Sequence, residues 1–142
     1  MTMDDHSYAS RRDMVAVGRV RVQRAQLSLL KAMDASRELE RAVSCHIKTL
    51  GELEEGQSLA AHAYEQRVLA GEWAAPLQAF MSKGLEDMRR QELLLEEERQ
   101  RWQENMLQVH QAAGRVAKQE ERLAVCQELL AQSEVPQCED EG

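Results

Sequence analysis

Residues 71–84 read GEWAAPLQAFMSKG, and this window decides the fold because it interrupts two long stretches that read as helix. Gly71, Pro76 and Gly84 cluster here as nowhere else in the 142 residues, and such a cluster marks a reversal of the chain. The window also gathers Trp73 and Phe80, with Tyr64 just upstream, in a protein with only two Trp, two Tyr and one Phe.

Working outward, every seventh residue back from Leu130 is apolar: Leu123, Val116, Val109, Trp102, Leu95, Met88 and Met81. A period of seven held over that distance marks the buried seam of a coiled coil, since a slightly underwound helix returns the same face to its partner every two turns. Its companion line, taken as Leu85, Glu92, Arg99, Met106, Ala113, Glu120 and Gln127, is only partly apolar, so this helix needs one neighbour. Upstream of the window a second ladder runs through Val15, Val22, Leu29, Ser36, Val43, Leu50, Gln57 and Tyr64. Its companions are Gly18, Ala25, Ala32, Leu39, His46, Leu53 and Ala60. These side chains are small enough to give Trp102 room, with Ala42 and Cys45 as expected neighbours.

The expected fold is therefore all-α, an antiparallel two-helix coiled-coil hairpin. Its parts are a flexible N-terminus over 1–10, a first helix over 11–69, a tip over 70–82, a second helix over 83–134 and an acidic tail over 135–142. Ser10 with Asp13 has the form of a capping box, which places the first helix start near Arg11. Pro136 stops the second helix. The segment VAVGRVRV at 15–22 alternates as a strand would, but the sevens run through it and no partner strand is in sight, so it reads as helix. Gly51 and Gly56 each weaken the first helix by about 1 kcal/mol relative to alanine, so a bend or frayed turn is expected there. Helices of roughly 50 to 60 residues would be about 75 to 90 Å long.

Composition points the same way and narrows the function classes. Aromatics make up 4% and charged residues 30%, the usage of long helices that bury a stripe. No stretch has the roughly 20 apolar residues that cross a bilayer, and the start MTMDDHSYAS has no apolar signal core, so a cytoplasmic protein is expected. Cys45, Cys126 and Cys138 are too scattered for a disulfide framework or a metal motif and read as reduced thiols. Cys45 and His46 are adjacent and so point about 100° apart on a helix, which does not pair a nucleophile with a base. His6, His62 and His110 have no helical partner four residues away to complete a zinc site. No catalytic residue, cofactor or metal is expected, and an enzyme is not.

Two candidate partner surfaces remain. At the tip, Tyr64, Val68, Leu69, Trp73, Leu77, Phe80 and Met81 either plug the open end of the two-helix coil or form an apolar patch for a partner. Near the N-terminus, Arg11, Arg12, Arg19, Arg21 and Arg24 lie in a block, residues 11–31, with six cations and one acid. The net charge of −7 hides this asymmetry: residues 1–48 carry nine Lys or Arg against six Asp or Glu, and the remainder nine against nineteen. Such a run is usually a solvated helix face, and otherwise docks on an acidic surface. Nucleic acid is not expected, since the chain is acidic overall and no aromatic residue is interleaved with the arginines. The run EEERQR at 96–101, with Glu97 and Arg101 four apart, reads as a solvent-facing ion-pair face.

The segments RRDMVAVGRVRVQRAQLSLLK and LAGEWAAPLQAFMSKGLEDMRRQELLLEEERQRW together resemble the stalk proteins of type III secretion systems, the FliJ and YscO family. The resemblance is one of pattern and covers nearly the whole chain. It implies a protein shaped like the shaft of a rotary ATPase, linking the hexameric secretion ATPase to the export gate and escorting export chaperones. It further implies that the arginine block faces the ATPase ring and the tip faces the cytoplasmic domain of the gate. Such a protein would sit at the cytosolic face of the inner-membrane export apparatus, bound to the membrane only through its partners. A coiled-coil chaperone or scaffold for helical clients is the alternative.

Overall fold

In the computed structural model the backbone is described for residues 3–134 and the side chains for residues 8–133. Two helices account for nearly all of it, α1 (Met3–Leu69) and α2 (Ala75–Glu134), and they pack against each other as an antiparallel hairpin with no strand among the described residues. Both are rich in Ala, Leu, Glu, Gln and Arg, the strongest helix formers. The acidic tail expected over 135–142, and Pro136 with it, lies outside the described residues.

Two helix starts differ from those expected, and an expected interruption is not there. α1 begins at Met3 and not near Arg11, so Ser10 sits within the helix. None of residues 3–10 is Gly or Pro, and one interior serine costs a helix only a fraction of 1 kcal/mol. α1 also runs unbroken through Gly51 and Gly56. α2 begins at Ala75, eight residues before the expected start, because Pro76 falls in the first turn. There its fixed φ suits the helix, and the amide it lacks would have had no partner within it.

The turn between the helices is short and closed by main-chain bonds. Gly71 adopts φ of 71°, a left-handed conformation that favours glycine. The Glu72 amide donates to the Arg67 carbonyl at 2.8 Å and the Gly71 amide to the Val68 carbonyl at 3.1 Å. This pair of bonds is a Schellman motif, which satisfies carbonyls the helix end would otherwise leave open. Across the turn, the amides of Leu77 and Gln78 both donate to the Ala74 carbonyl at 3.1 Å and start α2.

The chain divides into two compact units, the first made of Met1–Asp34 with Asn105–Gly142 and the second of Ala35–Glu104. In the first, Leu123 packs on Gly18, whose absent Cβ would lie 3.1 Å from Leu123 Cδ1. Asn105 Nδ2 donates to the Ala32 carbonyl at 2.9 Å, and Arg11 donates to the Leu129 carbonyl at 3.2 Å and to Ser133 Oγ. In the second, His46 Nδ1 donates to Gln91 Oε1 at 3.1 Å and Gln57 Nε2 donates to the Met81 carbonyl at 2.6 Å. Trp102 Nε1 donates to Glu40 Oε1 at 3.3 Å. In each unit the paired residue numbers rise on one helix as they fall on the other, which defines the antiparallel register.

Burial follows the sevens on both helices. Val15, Val22, Ser36 and Ala60 on α1 and Leu95 on α2 are buried, and the remaining members of both ladders are half-buried. The companion line expected on α2 is corrected: Leu85, Glu92, Arg99, Ala113, Glu120 and Gln127 are exposed. The interface instead uses the line one residue earlier, through Gly84, Gln91, Glu98, Asn105, Ala112, Gln119 and Cys126. That line is polar or small, so counting apolar residues passes it by, while the spacing of three that pairs the two lines on α1 holds on α2 as well. Two further expectations change. Cys45 is exposed and does not face an interior, while Trp102 lies in a groove with Glu40, Val43 and Ser44. Arg101 pairs with Glu98 at 3.2 Å, not with Glu97, because Glu98 is held half-buried on the interface line.

Candidate functional site

A single interface between two helices leaves many apolar side chains in water, and their grouping locates the candidate sites. The first group surrounds the turn. Leu69 ends α1, Trp73 lies in the connection and Phe80 sits in the second turn of α2; they are 78%, 79% and 58% exposed. Val68 is exposed as well. Tyr64, Leu77 and Met81 are half-buried, and the residue that closes the end of the interface is Ala74, which is buried. Of the two sequence readings for Trp73 and Phe80, plug or patch, their exposure fits the patch. The Schellman motif fixes the main chain from which Trp73 projects, so the ring is carried on a connection of only five residues between the helices.

Large exposed aromatics on a fixed turn bury area against a partner at little entropic cost, which is why such residues concentrate in interface hot spots. Charges beside this patch are mixed, with Glu65, Arg67, Glu72 and Lys83 close in sequence. Apolar contact therefore dominates what the patch can do.

The second group lies in the first unit, on α1. Arg12, Arg19, Arg21 and Arg24 are exposed. Arg11 is not free for one: it is half-buried and spends its guanidinium on the Leu129 carbonyl and Ser133, near the C-terminal end of α2. A cation there also meets the negative end of the helix dipole. Arg11 precedes Gly18 by seven and so occupies the companion line of the seam, a position legible in the sequence.

Sequence reasoning missed an apolar stripe between these arginines. Val17, Val20, Leu27 and Leu30 are all between 44% and 58% exposed. Their spacing of three, seven and three places them on one side of α1, half a turn from buried Val15 and Val22. The alternation of VAVGRVRV supplied the signal: in a helix, apolar residues two apart fall on opposing faces. Arg21, Arg24 and Lys31 flank this stripe on one edge, and Arg12 and Arg19 on the other.

Among the described residues no group of three or more His, Cys, Asp or Glu is arranged to hold a metal ion. His46 is engaged with Gln91, Cys126 is half-buried, and Cys138 lies outside the described residues. No described helix is long and apolar enough to cross a membrane. Compared with protein-family models, curated proteins and solved structures, the chain matches none.

Proposed function

We propose that the protein is a stalk or adaptor of a type III secretion export apparatus, acting in the cytoplasm without catalysis of its own. The observation that carries this reading is the exposed patch of Leu69, Trp73 and Phe80 on a main-chain-capped turn. A hairpin that displays aromatics at its turn and arginines near its chain terminus can hold two different machines through surfaces of unlike chemistry. The turn patch takes the cytoplasmic domain of the export gate through apolar contact. Arg12, Arg19, Arg21 and Arg24 take the acidic surface of the hexameric ATPase, while Arg11 holds the end of α2 in place. Handing over export chaperones belongs to the same reading.

The test is binding of the full chain to a purified gate domain and, separately, to the ATPase hexamer. Trp73→Ala with Phe80→Ala should abolish gate binding with helical content unchanged and ATPase binding intact. Arg19→Glu with Arg21→Glu should do the reverse, and the ATPase interaction should weaken as salt rises. Failure of the unmodified chain to bind either partner refutes the reading.

A further inference from the structure

The second unit carries a feature that the stalk reading does not use. Two adjoining open grooves, of about 550 and 510 Å3, run beside the helix interface and share Arg99 as a lining residue. Their apolar lining is Val43, Ile47 and Leu50 on α1 with Leu95 and Trp102 on α2. Glu40, Glu54, Glu92 and Glu96 also line them, four carboxylates against the single guanidinium of Arg99. An apolar trough with an acidic margin fits one kind of occupant: a helix with an apolar stripe and basic edges.

The first unit supplies such a helix face. The stripe of Val17, Val20, Leu27 and Leu30 has Arg21, Arg24 and Lys31 along one edge and Arg19 on the other. The lengths agree as well. Residues 17–31 and residues 40–54 each span about 21 Å of helix. We propose that the α1 stripe of one copy docks in the acidic-margined groove of a second copy, so that the chain self-associates through two different surfaces. Such a contact is heterologous and does not end at a dimer unless a ring closes. Because Arg21 and Arg24 would also meet an acidic ring, self-association and docking on that ring exclude each other.

Sedimentation equilibrium of the full chain in low salt tests this, with two charge-reversed variants at exposed positions. Arg19→Glu, Arg21→Glu and Arg24→Glu together give a chain whose stripe and groove are both acidic, and Glu92→Arg with Glu96→Arg gives one in which both are basic. The unmodified chain is expected to show an average mass that climbs with concentration beyond a dimer and falls when salt is raised. Each variant alone should associate more than roughly tenfold more weakly. An equimolar mixture of the two should associate again, since each stripe then meets a groove of opposite charge. Circular dichroism of both variants should match the unmodified chain.

A single-chain mass at every concentration overturns the proposal. So does association insensitive to salt, association retained by either variant alone, or a mixture no stronger than its components. Loss in the arginine variant alone, together with binding of the unmodified chain to anionic vesicles, would assign the stripe to a lipid surface and overturn it equally.

Discussion

Asn105 donates from Nδ2 to the main-chain carbonyl of Ala32 at 2.9 Å, across 73 positions of sequence. Both partners lie on the interface lines of their helices, and Asn105 is buried. A buried amide that finds a carbonyl in only one alignment fixes register more than it adds stability. Asn105→Ala should lower unfolding free energy by about 1 kcal/mol. Asn105→Leu should cost less or even stabilise, but permit a second alignment. Urea titration checks the first; paired spin labels near residues 32 and 105 check the second, where a single sharp distance in the Leu variant would refute it.

Gly84 faces the Gln57 amide so closely that an added Cβ would lie 2.8 to 2.9 Å from its terminal atoms. Gly84→Ala therefore gains about 1 kcal/mol of helix propensity and loses a similar amount by displacing the Gln57 bond to the Met81 carbonyl. The two changes should nearly cancel. In a Gln57→Ala background the obstacle is gone, and the same substitution should stabilise by about 1 kcal/mol. A double-mutant cycle reads the difference directly, and strict additivity would show that the two residues do not interact.

Glycines elsewhere should respond with opposite signs. At Gly51 and Gly56 nothing lies within 4 Å of an added Cβ and the backbone is helical, so alanine should stabilise by about 0.5 to 1 kcal/mol at each. At Gly71 the positive φ makes alanine destabilising by about 1 kcal/mol. Thermal melts of the three variants should fall on two sides of the parent.

Arg11, in the third turn of α1, is tied to the last turns of α2. Arg11→Ala should leave the Leu129 carbonyl and Ser133 without that cation and raise amide hydrogen exchange over residues 127–133. The global loss should be about 1 kcal/mol. Arg12→Ala, at an exposed neighbour, should change neither readout.

Trp73→Ala and Phe80→Ala should alter stability by no more than about 0.5 kcal/mol each, because exposed side chains give up little buried area. A melting temperature lowered by several degrees would mean that the rings do pack against the hairpin.

By itself the sequence determined the chain's class, the ladders at sevens on both helices, the α1 companion line and the window in which the chain reverses. Each of these rests on a periodic or local property: a buried side chain recurs with the helix, and glycine and proline act on their own backbone. Tertiary structure alone decided the α2 companion line, which is polar and owes its burial to the opposing helix. It also decided that Trp73 stays in solvent while Ala74 closes the interface, and that Arg11 serves α2. Those outcomes depend on which side chain arrives from the other helix, and register, not local preference, sets that.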